Sequence, residues 1–333
     1  MKDATIQDIA DEARVSKSTV SRVLNNTTAV NPLKREAVLA ATKRLGFRPN
    51  AVAKSLASGR SMTIGVLTQS IGSPLYDGIA QGIVTALGDT PYSPVFVDGQ
   101  WEPDTEIQGI QALISRRVDG LIAIGGNLSS NDLAQLTGDA PTVVVARVLP
   151  AEQHHCIFVD NVDGGYQATK HLIDLGHRDI AMICGIANHA DAIDRLSGYK
   201  KALAEANIEI RPELILDGDF NAASGQAAIE NLCKQNIPFT AVFASNDQMA
   251  FGARLAFHRT GLRVPEDVSI IGFDDQAASE FMVPPLTTVA QPSQEMGASA
   301  SEAIIDLINR KTLQPKQFVV QLQPRESTAV HRG

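Results

Sequence analysis

From Thr63 onward, short runs rich in β-branched and apolar residues alternate with stretches of helical periodicity, and this pattern limits the fold more than any other feature of the chain. The runs are 64–69, 94–99, 119–126, 142–147, 156–161, 179–185, 241–247 and 268–275, separated by helix-like stretches such as Gly78–Leu87 and Gly165–Leu175. Such alternation buries its apolar residues only in parallel sheets covered by helices on both faces. The number of runs, with Asn161–Gly165 near their middle, predicts two similar α/β subdomains rather than one wide sheet. Ligands of such folds sit beyond the carboxyl ends of the strands.

The first sixty residues read differently. Thr5 opens a helix over Thr5–Ala13 with Ile6, Ile9, Ala10 and Ala13 on one face. Ser16 caps a second, to about Asn25, in which Val20, Val23 and Leu24 point inward and Lys17, Ser18, Ser21, Arg22 and Asn25 point out. Two short helices joined by a tight turn make a helix-turn-helix. A third runs from Pro32 to Leu45, capped by Asn31 and stopped by Gly46. Residues 48–61 hold too few apolar side chains to fold alone, and Ala51–Ala57 could make two helical turns only with outside support. The expected organisation is a head (1–47), a hinge (48–61) and an effector-binding and dimerisation domain (62–333) whose subdomain crossovers lie near 161–165 and 286–293.

Charge separates the same regions. Within the net charge of −8, the first sixty residues carry eleven Lys and Arg against five Asp and Glu, a net of +6, which leaves −14 on the remainder. The head attracts polyanions and the rest repels them. No run of about 18 apolar residues occurs, and the opening residues lack the charged-then-apolar order of an export signal, so the expectation is no membrane partner and a cytoplasmic, nucleoid-associated protein. Cys156, Cys184 and Cys233 are widely spaced with no Cys-x-x-Cys pair, which predicts buried small apolar residues rather than disulfides or zinc ligands. His154 and His155 lack carboxylate or cysteine neighbours at ligand spacing. Gly125-Gly126 lacks the Gly-x-Gly-x-x-Gly spacing, and neither a Walker lysine motif nor a Ser/His/Asp set is visible, so no metal, cofactor or catalytic residue is expected. A periplasmic-type sugar-binding transport protein would share the two subdomains but would carry an export signal in place of the basic head.

The chain resembles the LacI/GalR family of bacterial repressors over essentially its whole length. Thr5–Ala10 with Val15–Asn25, Arg48–Leu56, Ser245–Ala250 with Val268–Asp275, and Pro284–Val289 carry the resemblance. Residues 147–150 and Asp191–Tyr199 are nearest to its galactose-repressor branch. The resemblance implies an α plus α/β protein with a three-helix head, a hinge helix and two Rossmann-like subdomains of periplasmic-binding-protein type. It further implies a repressor of carbohydrate-utilisation genes whose operator affinity is changed allosterically by a mono- or disaccharide. A purine-type co-repressor is the alternative, because an aromatic ring, an arginine and an aspartate grip a purine equally well.

By helical geometry and by match to the family pattern, Lys17, Ser18 and Arg22 face base edges in the major groove. Thr5, Ser16, Thr19, Ser21 and Asn25 suit phosphates, and Asn31 and Lys34, standing where the family often has Ser and Thr, are further phosphate candidates. Ser16 also reads as a plain helix cap, a compatible role, and Arg22 as a solvated surface charge. In the family, the hinge turns helical only on the operator and a leucine from each subunit wedges into the minor groove. Leu56 matches that leucine, with Lys54 set to meet the DNA backbone and Ser55 small enough for close approach. The wedge requires a homodimer on near-palindromic double-stranded DNA. Residues 324–333 hold no leucine heptad, so a dimer is expected rather than a tetramer.

A neutral sugar needs carboxylates, amides and guanidinium groups for its hydroxyls and an aromatic face for its C–H side. Arg195, Phe220, Asn246 and Asp274 are the leading candidates by match to the family's cleft, followed by Gln69, Tyr76 and Arg147, then Phe158. Other readings stand beside these: Asp274-Asp275 as a capping pair with Asp275 the structural member, Phe220 as core, and Arg195 as a salt bridge between subdomains. Leu56→Ala is expected to weaken specific operator binding by about tenfold to a hundredfold, measured by fluorescence anisotropy against a non-operator duplex of equal length.

Overall fold

The computed structural model describes residues 4–25, 30–47, 60–149 and 155–332 and divides into two units, Met1–Ser61 and Met62–Gly333. In the first unit, α1 (Ile6–Glu12), α2 (Lys17–Asn25) and α3 (Pro32–Arg44) enclose a small core of Ile9, Ala10, Val20, Val23, Val38 and Ala41. Polar residues set the ends of these helices. Thr5 Oγ1 accepts the Asp8 N–H at 3.3 Å while the Asp8 carboxylate accepts the Thr5 N–H at 2.7 Å, a reciprocal cap on α1. Ser16 Oγ accepts the Thr19 N–H at 3.2 Å, and Asn31 Oδ1 accepts the Leu33 N–H at 3.0 Å. Gly46, at φ +60°, stands just past the end of α3. Ile6, expected on the inner face, is 41% exposed: it lies one turn ahead of Ile9, at the rim, and helps line a groove beside α2. The hinge helix, with Lys54, Ser55 and Leu56, the side chain of Asn25, and His154 lie outside the described residues.

The second unit holds two six-stranded sheets. The first orders β11 (Lys316–Phe318), β5 (His155–Val159), β4 (Thr142–Val145), β3 (Gly120–Ile124), β1 (Thr63–Thr68) and β2 (Ser93–Asp98), all parallel. The second orders β12 (Gln321–Gln323), β10 (Thr287–Ala290), β9 (Ser269–Asp274), β8 (Ala241–Ala244), β6 (Ile180–Ile183) and β7 (Ile215–Leu216), with only β12 antiparallel to its neighbour. The helices are α4 (Pro74–Leu87), α5 (Pro103–Ser115), α6 (Ser130–Thr137), α7 (Asn161–Asp174), α8 (Ala190–Glu205), α9 (Ala222–Lys234), α10 (Asp247–Thr260) and α11 (Ser293–Ile308). No helix among the described residues is long and apolar enough to cross a membrane. Every residue of β3, β6, β8 and β9 is buried, as strands covered on both faces must be.

The chain leaves the first sheet after β5, returns after β10, and crosses once more between β11 and β12. The last step was not among the crossovers read from sequence, because β7, β10, β11 and β12 are only two to four residues long and show no periodicity. Helices α7 and α8 pack so closely that a Cβ on Gly165 would stand 2.2 Å from the Arg195 carbonyl oxygen and one on Gly198 2.1 Å from that of Val162. The same contact sets the spacing that carries Arg195 toward the strand ends. Gly165→Ala is therefore expected to cost about 1–3 kcal/mol of stability, read as a lowered midpoint in urea denaturation.

Candidate functional site

On the head, Lys17, Ser18 and Arg22 are exposed along α2 and Thr19 and Ser21 are half-buried. Ser16 Oγ lies 2.8 Å from Ser18 Oγ and 2.9 Å from Thr19 Oγ1, so three hydroxyls cluster at the amino terminus of α2, where no acidic residue occupies the first turn. The partial positive charge of that helix end favours an anion there. Thr5, Lys17, Ser18 and Ser21 line one groove together with Ile6 and Gln7, the last two absent from the sequence candidates. Asn31 and Lys34 are exposed at the start of α3, which likewise has no acid in its first turn.

In the second unit, a cleft of about 360 Å³ opens at the carboxyl ends of the strands of both sheets. Tyr76, Arg195, Phe220, Asn246 and Asp274 line it. Arg195 is only 2% exposed and is held inside the second subdomain: Nε donates to Asn161 Oδ1 at 2.9 Å, Nη1 to the Ser245 carbonyl, and Nη1 stands 3.9 Å from Asp274 Oδ1. Its ion pair thus lies within one subdomain rather than between the two. The guanidinium also lies 3.7 Å from the centre of the Phe273 ring and 5.9 Å from that of Phe220. Asn246 caps α10 through the Met249 N–H at 2.9 Å and donates to the Phe220 carbonyl at 2.8 Å. Phe220 is half-buried with its ring against Gly185, at a left-handed φ of 68°.

The two aspartates ending β9 part company. Asp275 accepts Arg325 Nη2 at 2.7 Å, whereas Asp274 Oδ1 accepts Gln291 Nε2 at 2.7 Å and borders the cleft. Burial raises the Asp274 carboxyl to about 6, more than Arg195 and the two amides lower it. Neighbouring Asp247, which accepts Thr288 Oγ1, Ser279 Oγ and the Gln276 N–H, is raised to about 7 by burial and by Asp274. Burial also raises Asp191 and, far above the usual tyrosine range, the hydroxyl of Tyr76.

Three sequence candidates do not reach the cleft wall. Phe158 packs into the apolar layer beneath β4 and β5, with Leu149 and Cys156. Arg147 is half-buried, and burial lowers its pKa against the opposing pull of the Glu106 carboxylate. Gln69 is fully buried, its Oε1 accepting the Trp101 N–H at 3.0 Å. In their place stand Trp101, His189, Asp191 and Gln248. Trp101 lies just past β2, as Gln69 lies just past β1, so the strand-end rule pointed to it had it been applied to every strand.

A family model described as bacterial regulatory proteins, lacI family, matches residues 5–50, and one described as a periplasmic binding protein-like domain matches residues 169–328. Catabolite control protein A of Priestia megaterium is 35% identical over 328 residues, 97% of each chain. The HTH-type transcriptional repressor PurR of Haemophilus influenzae is 37% identical over 316 residues, 95% of this chain and 94% of its own. Among solved structures, a lac repressor dimer bound to operator and the anti-inducer ONPF superposes with a TM-score of 0.88 at 30% identity, covering 98% of this chain and 100% of that one. A complex of the transcriptional regulator CelR with cellobiose superposes at 0.73 and 34% identity, covering 97% and 99%.

The buried carboxyls set a pH dependence. Asp274 and Asp247 hold their protons more tightly folded than unfolded, so between about pH 4 and pH 7 the folded chain binds more protons and these groups lower stability as pH rises. Asp247→Asn is expected to flatten that fall, seen in urea denaturation midpoints measured across the window.

Proposed function

The chain belongs to the lacI family of bacterial regulatory proteins, and from that premise we propose that its cleft binds a neutral mono- or disaccharide whose presence changes the grip of the head on operator DNA. The observation that carries this reading is the chemistry of the cleft wall. Among its described residues, the charged groups are Asp191, Asp219, Asp274 and the buried Arg195, whose guanidinium is already engaged by Asn161, Ser245 and Asp274. Burial lowers His189, which keeps it neutral at physiological pH. An entering molecule meets carboxylates that accept hydroxyl protons and the rings of Tyr76, Trp101 and Phe220, a set suited to a polyol with an apolar ring face and ill-suited to a phosphate ester. These groups bind and orient, and the reading is of a regulator rather than an enzyme. The cellobiose complex of the related CelR supports a sugar; the PurR relatives support the purine alternative.

Lys17, Ser18 and Arg22 are the proposed base readers, with Thr5, Ser16, Thr19, Ser21, Asn25, Asn31, Lys34 and Lys54 on phosphates and Ser55 and Leu56 in the minor groove. The wedge makes the working form a homodimer on a near-palindromic site, acting in the cytoplasm on the nucleoid. Exposed Phe281 and Val283, at 81% and 86%, offer an apolar surface for the second subunit. Effector closing the cleft shifts the population between states in which the two hinges pair or separate, and a coupling of about 1–3 kcal/mol is enough for regulation. A thermal-shift panel of mono- and disaccharides, their phosphates and purines tests the effector class, because a ligand of the native state raises its melting temperature. A neutral sugar is expected to raise it and its phosphate to do so less; a rise with purines alone would overturn the sugar reading.

A further inference from the structure

Trp101 is the only tryptophan in the sequence, and it stands half-exposed at the cleft rather than in a core. Its indole belongs to the first subdomain and meets the imidazole of His189, at the start of α8 in the second, with ring centres 4.1 Å apart and planes at 41°. Tyr76 presents its ring 5.8 Å away at 61°, and His189 lies 6.0 Å from Phe220. Four rings therefore form a line across the opening.

The local backbone is arranged to hold that indole. Gln100 and Trp101 take φ values of 55° and 59°, two consecutive non-glycine residues in the left-handed region. Side chains from separate elements fix this unfavourable turn: Gln69 Oε1 accepts the Trp101 N–H at 3.0 Å and Asn127 Nδ2 donates to the Trp101 carbonyl at 2.7 Å. Asn127 is itself fixed by its N–H to Glu106 Oε1 at 2.8 Å, a carboxylate 1% exposed. The ring edge rests on Gly125, where a Cβ would stand 3.0 Å from Trp Cη2. Strain held in place by a polar network around a partly buried aromatic side chain that borders the cleft marks a ligand contact as well as a packing contact.

We propose that Trp101 is a specificity-determining effector contact: the apolar face of a sugar ring stacks on its indole in the place His189 occupies here. The proposal rests on the sugar reading above and adds to it a residue and a geometry. Stacking on the indole puts the hydroxyls of the ring edge toward Asp191 and Asp274, and it makes Gln69 a positioning residue that acts through Trp101. Because the indole and its present partner lie on different subdomains, replacing His189 with a ligand ring also ties occupancy to the closure of the cleft.

The full-length protein carries its own probe, since all tryptophan emission comes from Trp101. Titration with D-glucose, D-galactose and cellobiose, beside hypoxanthine, is read by emission and by melting temperature, and calorimetry gives Kd for the wild type, Trp101→Ala and Trp101→Phe. The expected result is that a sugar that raises the melting temperature also changes the emission, that Trp101→Ala raises its Kd about tenfold or more, and that Trp101→Phe stays within about threefold. A sugar that stabilises the wild type without changing its emission, and binds Trp101→Ala with unchanged Kd, overturns the proposal and leaves the sugar reading standing. Stabilisation by hypoxanthine alone overturns the sugar reading and the stacking role with it. The wild-type emission needs no variant to fold.

Discussion

A guanidinium removed from water must find its hydration replaced group by group, and the floor of the cleft is organised around that demand at Arg195. The partners come from separate elements: Asn161 from the start of α7, the Ser245 carbonyl from the end of β8, Asp274 from the end of β9, and the Phe273 ring beneath. Asn161 also donates to Asp191 at 3.1 Å, so the arginine indirectly places a second carboxylate. At 3.9 Å the Arg195–Asp274 pair is too long to be a charge-assisted hydrogen bond, which is why burial outweighs attraction and the Asp274 carboxyl rises instead of falling. The outcome is a carboxyl that titrates nearer to neutral pH than a free aspartate and is kept in place by Gln291 and Gln276.

The two units divide the electrostatics of the chain. The basic excess lies in the first sixty residues and the acidic excess in the rest. Within the head, the hydroxyls of Ser16, Ser18 and Thr19 gather at a helix end that favours anions, next to Lys17. Within the larger unit the same reasoning runs the other way, for the acids at the cleft suit hydroxyl donors. The basic surface and the acid-lined cleft thus fall on separate units of the chain.

Legibility from sequence followed the strength of the local signal. The eight apolar runs all appear as strands, since buried parallel strands leave continuous apolar segments, and the caps Thr5, Ser16 and Asn31 all act through their side chains. Short edge strands such as β7 and β11 left no trace, because a few residues cannot express a period. At the cleft, Arg195, Phe220, Asn246, Asp274 and Tyr76 were named and do meet there, while Phe158 turns into an apolar layer and Gln69 supports Trp101 from behind. A strand end says that a side chain is near the opening; which way it points depends on neighbours distant in sequence.

By itself the sequence determined the fold class and the basic head with its three capped helices, because periodicity, capping chemistry and charge are local properties written residue by residue, while its motifs carried only a resemblance to the family. Only the tertiary structure decided that Asp274 faces the cleft while Asp275 turns to Arg325, that Arg195 is sealed among partners within one subdomain, and that Trp101 confronts His189 across the opening. Each of these depends on groups brought together from separate strands and helices, and on the balance of burial against pairing that exists only once those elements are packed.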